Sequence, residues 1–179
     1  MSKPKNSSGH QRGCIVLMNK WDERFLDMAE LVATWSKDPS TKIGAVCVEP
    51  QSKRILSMGY NGFPRGIADL DWRYEDKEVK YSLVVHAEAN AIYNATSNGV
   101  SLEGSTIYVA GLPSCSDCAK GIIQVGIKRV VCRAPNIPSH WGEHWKKSKA
   151  MYREACIDFL LTSGIEGGIE AGVEYEPNE

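Results

Sequence analysis

HAEANAI (residues 86–92) and PSCSDCAK (residues 113–120) are the two stretches around which the chain is organised. Each is predicted to begin a helix, the first because alanine favours helical structure. One supplies a histidine two residues before a glutamate, and the other supplies a Cys-x-x-Cys pair. Imidazole nitrogen and thiolate sulfur are ordinary zinc ligands, and a catalytic zinc has three protein ligands and one open position. His86, Cys115 and Cys118 are therefore predicted to bind Zn²⁺.

Glu88 is the remaining acid–base group of this set. It lies two residues after His86 and is not needed as a ligand, so it stands where a proton shuttle is required. A zinc-activated water and a nearby carboxylate can together replace an amino group on an electron-poor ring by oxygen. The residues therefore predict hydrolytic deamination, with Glu88 as the catalytic residue.

Two other interpretations of the cysteine pair remain open at this point. Cys115 and Cys118 could form a redox pair, although no second signal supports one. A structural zinc would need a fourth protein ligand, and His140 and His144 are the nearby candidates. Neither interpretation gives Glu88 a role.

The composition fits one domain without a dominant charge. The chain has 179 residues, 21 Lys and Arg, 22 Asp and Glu, and 6 cysteines. A near-neutral chain argues against binding long nucleic acid, which usually requires an excess of basic residues. The apolar run at residues 14–18 is too short for a signal sequence or a membrane span. We therefore expect no membrane or nucleic-acid partner and a cytoplasmic location, where a Cys-x-x-Cys pair more often binds metal or acts in redox chemistry.

Periodicity and turn residues predict an alternating order of helices and strands. Helices are expected at residues 21–35, 86–97, 115–125 and 146–163, and strands at residues 43–48, 54–60, 106–109 and 129–132. The first two strands are predicted to be antiparallel because their connection is short, and the last two parallel because a helix joins them. This order predicts a three-layer α/β/α domain with a mixed, roughly five-stranded sheet. The tail is expected either to add a short edge strand to this sheet or to be disordered.

Composition also divides the chain into segments. Residues 1–18 contain basic side chains and no acid, and we expect a flexible arm there. Residues 19–164 form the predicted deaminase domain, and residues 165–179 form an acidic tail. Within the domain, residues 67–80 are predicted to be a surface insertion with little periodicity.

Five pieces of the sequence resemble the cytidine and deoxycytidylate deaminase superfamily, and within it the deoxycytidylate (dCMP) deaminases. They are SKDPSTKIGA (residues 36–45), GYNGFPRG (59–66), KY (80–81), HAEANA (86–91) and residues 115–131. An H-x-E motif with a later P-C-x-x-C is the signature of zinc-dependent nucleobase deaminases. The resemblance implies a cytidine-deaminase-like fold and hydrolysis of dCMP to dUMP and ammonia, which feeds thymidylate synthesis.

The resemblance also implies roles outside the zinc set. Asn61 is implied to bind the sugar hydroxyl, and the backbone N–H of Ala87 to bind the pyrimidine carbonyl. Lys42 and Arg65 are our candidates for binding the 5′-phosphate. The family is implied to form homohexamers, with dCTP as activator and dTTP as inhibitor, and the loop at residues 61–66 is expected to contribute to the effector site.

Two departures from the family pattern bear on the substrate. Ser114 stands where the family usually has proline directly before the first cysteine, and Pro113 lies one place earlier. Residues 133–142 lack the tyrosine that the family often carries near the phosphate, and Trp141 or His140 is expected to take its place. Two alternatives therefore stay open: a related deaminase acting on another nucleotide, nucleoside or base, and a non-catalytic zinc-fold module that binds nucleotides or nucleic acid.

Overall fold

A six-stranded mixed sheet lies at the centre of the computed structural model, which describes residues 18–163 and 169–172. Its strands are β1 (Gly44–Val48), β2 (Ile55–Tyr60), β3 (Thr106–Ala110), β4 (Arg129–Arg133), β5 (Asp158–Thr162) and β6 (Ile169–Gly172). Their spatial order is β2-β1-β3-β4-β5-β6. β1 pairs antiparallel with β2 and with β3, β4 runs parallel to both β3 and β5, and β6 returns antiparallel to β5.

Helices cover both faces of this sheet. They are α1 (Lys20–Ala33), α2 (Asp71–Glu75), α3 (Lys77–Leu83), α4 (Ala87–Ser97), α5 (Ser116–Gln124) and α6 (Gly142–Glu154), and a 3₁₀ turn spans Ser139–Trp141. α1 packs on one face, against β1 and β3, while α4, α5 and α6 share the core of the other face. The predicted three-layer α/β/α fold is confirmed.

Each face of the sheet has its own buried core. The core under α1 consists of Phe25, Leu26, Ala29, Val32, Val46, Val48, Tyr108, Ala110, Val131 and Leu160. The core on the other face includes Ala45, Cys47, Ala91, Ile107, Val109, Ile122, Val130, Trp145, Tyr152 and Phe159. Successive residues of β1 and β3 therefore enter opposite cores, as the two-residue repeat of a strand requires.

α1 begins as predicted but ends earlier. The Asn19 side chain caps it, and Asp22 accepts a hydrogen bond from the backbone N–H of Asn19 at 2.9 Å, which completes a capping box. Backbone hydrogen bonds to the residue three places earlier close the last turn at residues 34–36. Trp35, predicted on the buried face of this helix, consequently lies beyond its end and is 49% exposed.

The predicted helix at residues 146–163 is wrong in its second half. α6 ends at Glu154, Cys156 takes a positive φ of 51°, and the buried run at residues 159–161 belongs to β5. A short apolar run fits a buried strand as well as a buried helix, so periodicity cannot separate the two. The sheet gains a strand in this way, and the predicted edge strand of the tail is β6, which pairs with β5.

The predicted surface insertion at residues 67–80 contains two short helices and ends in a buried anchor. Lys80, on α3, is 7% exposed and lies 2.7 Å from the Asp38 carboxylate. Asp38 also accepts hydrogen bonds from the backbone N–H groups of Ser40 and Thr41, at 2.9 and 3.1 Å. A buried ion pair needs such additional hydrogen bonds to offset the loss of water. This pair ties α3 to the segment before β1.

Parts of two predicted segments lie outside the described residues. Of the expected arm at residues 1–18 the structure describes Met18, and of the acidic tail at residues 165–179 it describes β6. The bounds of the domain therefore stay a prediction. Across the described residues, no helix combines the length and apolarity needed to cross a membrane.

Glycine allows two helices to lie directly on the sheet. A Cβ atom on Gly44 would lie 2.0 Å from the carbonyl oxygen of Ala29 in α1. A Cβ atom on Gly59 would lie 2.4 Å from the backbone nitrogen of Ala91 in α4. Because no side chain fits at such distances, the lack of a Cβ is what permits these two contacts, on opposite faces of the sheet.

Asp22 joins α1 to the sheet from a fully buried position. Its carboxylate accepts hydrogen bonds from the Arg129 guanidinium at 2.5 and 3.0 Å and from the Tyr108 hydroxyl at 3.0 Å. Burial acts to raise the pKa of Asp22, but hydrogen bonds from Arg129 and Asn19 outweigh it and hold the pKa below its ordinary value. The ionised carboxylate is therefore the form that the fold stabilises.

Asp22→Asn is expected to lower the free energy of unfolding by roughly 3 kcal/mol at neutral pH, because Arg129 would lose its buried partner. Folding lowers the pKa of Asp22 from the value of about 3.9 in an unfolded chain. Its contribution is therefore present above that value and is lost as the pH falls through the lower folded-state pKa. Urea denaturation should show the difference between variant and wild type shrinking in acid.

Asp27→Asn is the matched control for this experiment. Asp27 pairs with Arg133 at 2.7 Å, but its side chain is 67% exposed, so its removal should cost less than about 1 kcal/mol. Equal losses from the two variants would contradict the structural role assigned to Asp22.

Candidate active site

His86 immediately precedes α4 and occupies its N-cap position. The backbone before it is fixed because Gly62 and Val85 exchange two hydrogen bonds, of 3.1 and 2.9 Å. The contact of α4 with Gly59 fixes the same end of the helix from the sheet. The loop after β2 and the sheet together therefore set the position of the His86 side chain.

Cys115 occupies the equivalent position at the start of α5. The backbone N–H of Cys118 points at the Cys115 Sγ at 3.5 Å, and helix N-termini stabilise thiolates in this way. Ser114, which replaces the expected proline, is buried, and its carbonyl accepts a hydrogen bond from the Ser148 hydroxyl at 2.8 Å. Both predicted helix starts are confirmed, and the serine leaves the cysteine pair in place.

The three predicted zinc ligands converge. His86 Nδ1 lies 3.3 Å from Cys115 Sγ and 3.4 Å from Cys118 Sγ, and all three ligand atoms lie within 4.8 Å of one another. Tetrahedral zinc, with bonds of about 2.0 Å to nitrogen and 2.3 Å to sulfur, places such atoms about 3.5 Å apart, so this set fits the metal. Among the described residues no further His, Cys, Asp or Glu joins the group. His140 and His144 are therefore not a fourth ligand, and three ligands are typical of a catalytic zinc.

The two thiols of this set differ in acidity. The Cys118 thiol donates a hydrogen bond to Cys115, and this is the main cause that lowers the pKa of Cys115 to about 4. The same hydrogen bond, together with burial, raises the pKa of Cys118. The Cys115 thiolate in turn raises the pKa of His86. A negative charge therefore forms readily at Cys115, which suits a metal cation.

Glu88 lies in the first turn of α4 and is 3% exposed. It is not a member of the ligand group, and it lines the same cavity as His86. Burial raises the pKa of its carboxyl, against an opposing effect of His86. A carboxyl with a raised pKa can accept a proton and return it, which is the property required of a proton shuttle.

A cavity of about 180 Å³ opens beside these residues. Asn61 and Ala87, both predicted to contact the substrate, line it together with Glu88. A volume of this size admits a single small ring. The structure thus brings the zinc ligand His86, the proposed proton shuttle and two of the four predicted substrate contacts to one cavity.

Asn61 is held rigidly at the cavity wall. Its Oδ1 accepts a hydrogen bond from the backbone N–H of Ile43 at 2.7 Å, and its Nδ2 donates to the carbonyl of Thr41 at 2.8 Å. An amide oxygen has two lone pairs, so this hydrogen bond leaves one lone pair of Oδ1 unused. The side chain therefore braces the loop at the cavity wall.

Lys42 and Arg65, the predicted phosphate ligands, do not line the cavity. Lys42 donates a hydrogen bond to the carbonyl of Ser36, and Arg65 donates to the Asn94 side chain at 2.5 Å on the exposed surface. Each cation is therefore engaged by a nearby acceptor. The structure consequently gives no support to a phosphate role for either residue.

Lys80 and Asp38 are cavity residues that sequence analysis missed. The Asn61 Nδ2 atom lies 3.4 Å from Asp38, so the ion pair adjoins the predicted sugar contact. Both residues belong to pieces that resemble the family. They are nevertheless 42 positions apart in the sequence. No motif links a single Asp to a single Lys at such a distance, so their pairing could not be predicted.

Trp141 and His140, predicted to replace the family tyrosine, both lie on the cavity wall. The Trp141 indole N–H donates a hydrogen bond to the carbonyl of Pro113 at 2.8 Å. Its ring centroid is 6.2 Å from that of His86. The 3₁₀ turn before α6 is thus attached directly to the segment that carries the cysteine ligands.

Comparisons with known proteins agree with this site. Residues 19–134 match the family model described as the cytidine and deoxycytidylate deaminase zinc-binding region. An uncharacterised deaminase from the luxG 3′ region of Aliivibrio fischeri is 42% identical over 144 residues, covering 79% of this chain and 93% of the relative. The deoxycytidylate deaminase of Mus musculus is 41% identical over 145 residues, covering 78% of each protein.

A solved structure shares the fold. The dCMP deaminase of the cyanophage S-TIM5, in complex with dCMP and dUMP, matches with a TM-score of 0.64 and 25% identity, over 82% of this chain and 99% of that chain. The fold, the His-Cys-Cys set and the buried glutamate define the class of zinc-dependent deaminases. The chain belongs to the cytidine and deoxycytidylate deaminase family.

Cys118→Ala is expected to abolish most zinc binding, because only two of the three ligands would remain. Zinc per chain, measured by atomic absorption after dialysis, should be near one for the wild type and far below one for the variant. Cys156→Ser is the control, since Cys156 is an exposed free thiol outside the ligand group. Full zinc content in Cys118→Ala would show that the metal binds elsewhere.

Proposed function

We propose that this protein catalyses the hydrolytic deamination of dCMP to dUMP, with release of ammonia. The observation that carries the proposal is the arrangement of the His86, Cys115 and Cys118 set beside Glu88 and Asn61. Support for this substrate comes from the mouse relative, which is named deoxycytidylate deaminase, and from the cyanophage structure, which is named for dCMP and dUMP.

The proposed reaction uses the residues in defined roles. His86, Cys115 and Cys118 would hold zinc, which when bound supplies a Lewis acid that lowers the pKa of water from about 15.7 to about 7. The oxygen of water bonds to the ring carbon that carries the amino group, the carbon–nitrogen bond breaks, and ammonia leaves. Glu88 takes the proton of this water, passes it to the ring nitrogen and then delivers a proton to the departing amine.

Two groups are assigned to substrate binding in the same proposal. The first N–H groups of a helix have no partner within it, so the Ala87 N–H at the start of α4 is available to the pyrimidine carbonyl. Asn61 binds the sugar hydroxyl through the lone pair that its Oδ1 retains. Both groups sit on rigid backbone, which favours a single orientation of the ring beside Glu88.

The family resemblance supports further proposals about the enzyme as a whole. It assembles as a homohexamer. Two aromatic side chains are available to such an assembly, since Trp35 is 49% exposed and Tyr93 is 60% exposed. dCTP activates it and dTTP inhibits it, with the loop at residues 61–66 in the effector site. It serves pyrimidine nucleotide biosynthesis in the cytoplasm, a reducing compartment that suits its free cysteines.

Glu88→Gln is expected to keep its zinc and to lose turnover. The amide has nearly the same shape but cannot accept the water proton, so kcat should fall by roughly 100- to 10,000-fold. Zinc content and ammonia release are measured on the same preparation. Glu154→Gln, at an exposed position outside the cavity, should match the wild type. Near-normal turnover in Glu88→Gln would refute the proton shuttle.

A substrate panel tests the choice of dCMP. Initial rates on dCMP, CMP, dCTP, deoxycytidine and guanine are followed by absorbance, each with and without dCTP or dTTP as effector. We expect the highest kcat/KM for dCMP, with activation by dCTP and inhibition by dTTP. The proposed substrate is wrong if dCMP is untouched while another compound reacts, and zinc binding without any turnover would favour a binding module.

A further inference from the structure

A buried ion pair on the cavity wall has no part in the chemistry described so far. Lys80 and Asp38 are 7% and 1% exposed, and both line the cavity. The Lys80 ammonium contacts the two oxygens of the Asp38 carboxylate, at 2.8 and 2.7 Å. Such a pair typically adds little net stability over apolar side chains, because both charges lose water when the chain folds. Its place beside the cavity therefore points to a role in the site.

The Asp38 carboxylate is fixed by several donors. Besides the contact with Lys80, it accepts hydrogen bonds from the backbone N–H groups of Ser40 and Thr41, at 2.9 and 3.1 Å, and from the Ser40 hydroxyl at 3.0 Å. Lys80 in turn donates to the same hydroxyl at 2.7 Å. Burial acts to raise the pKa of Asp38, but the hydrogen bonds from Lys80 and Ser40 outweigh it and hold the pKa below its ordinary value. Asp38 is therefore a charged acceptor in a fixed position.

The Asn61 amide lies against this acceptor. Its Nδ2 donates to the carbonyl of Thr41 at 2.8 Å and lies 3.4 Å from Asp38 Oδ2, while its Oδ1 accepts from the backbone N–H of Ile43 at 2.7 Å. Rotation of the amide by 180° would place Oδ1 against two acceptors and Nδ2 against a donor, so all these contacts would become repulsive. The charge of Asp38 adds to this penalty, because a carboxylate repels an amide oxygen more strongly than a neutral carbonyl does.

We propose that Asp38, held by Lys80, is a positioning residue that sets the orientation of the Asn61 amide in the substrate site. Asp38 acts through Asn61 rather than on the substrate itself. The inference rests on the proposed function, in which Asn61 Oδ1 binds the sugar hydroxyl. With the amide fixed, Oδ1 meets this hydroxyl without first being reoriented. Because Lys80 lies on α3, the insertion at residues 67–80 takes part in forming the substrate site.

The test compares two ligands that differ only in the sugar hydroxyl, namely dUMP and 2′,3′-dideoxyuridine 5′-monophosphate. Their inhibition constants are measured for wild type and for the double variant Asp38→Asn/Lys80→Met, which removes the ion pair without leaving an unpaired charge. Wild type should bind dUMP roughly 10-fold more tightly than the dideoxy analogue. The double variant should lose most of this preference. Its KM for dCMP should rise while kcat changes much less, because Glu88 and the zinc ligands are untouched.

A double-mutant cycle with Asn61→Ala separates positioning from a merely structural role. If Asp38 acts through Asn61, loss of the ion pair in the Asn61→Ala background should leave inhibition by dUMP nearly unchanged. An additive loss would overturn the inference, because it would show that the ion pair acts independently of Asn61.

Lys37→Met is the matched control. Lys37 pairs with Asp69 at 2.7 Å, and this exposed pair also joins the segment before β1 to the insertion, but neither residue lines the cavity. Wild-type preference for dUMP in this variant supports the specific role of Asp38. A comparable loss of preference would overturn the inference, because it would show that any link between the two segments has the same effect.

Ser40→Ala provides a milder variant in case the double variant does not fold. It removes the hydroxyl that accepts from Lys80 and donates to Asp38, while the two charges stay paired. The preference for dUMP should fall by a smaller factor, roughly 2- to 3-fold. Unchanged preference in the variants that fold, or equal weakening of both ligands, would show that the inference is wrong. A wild type that leaves dCMP unreacted would instead refute the proposed function on which the inference rests.

Discussion

The meeting of two helix N-termini at one point is the constraint on which the rest of the site depends. α4 presents His86 there and α5 presents Cys115, each as the residue that precedes its helix. α4 reaches this position because its backbone lies directly on β2, where a Cβ atom on Gly59 would be 2.4 Å from the Ala91 nitrogen. α5 reaches it because it follows β3, separated from β2 in the sheet by β1 alone. The Cys115 thiolate is stabilised by the positive end of α5.

Two buried carboxyl groups show how the fold separates structure from chemistry. Asp22 is fully buried, but Arg129 and a helix cap surround it, and its pKa is lowered. Glu88 is 3% exposed and has no ion pair among the residues that the structure describes, and burial raises its pKa. Similar burial therefore gives opposite results, because the hydrogen bonds from Arg129 and Asn19 outweigh burial at Asp22, whereas the opposing effect of His86 does not outweigh burial at Glu88. The first group joins a helix to the sheet, and the second is free to move protons.

The sequence predicted the parts of the site that lie in short motifs. His86, Glu88, Cys115 and Cys118 sit at fixed spacings within two helix starts, and local capping rules place those starts. Contacts between distant segments were not predictable, as the pairing of Lys80 with Asp38 and the attachment of Trp141 to Pro113 show. The phosphate role of Lys42 and Arg65 stays a prediction, because the sequence does not reveal that nearby acceptors engage both cations. The helix predicted at residues 146–163 failed because a short apolar run does not reveal whether it pairs with a neighbouring strand.

We propose that this arrangement adds water to the amino-bearing carbon of a cytosine nucleotide. Turnover of dCMP in water labelled with oxygen-18, followed by mass spectrometry of the product and by ammonia determination, tests it most directly. We expect one labelled oxygen in each dUMP, at the position that the amino group occupied, and one ammonia for each dUMP formed. Product without label, or loss of dCMP without ammonia, would contradict hydrolytic deamination at this site.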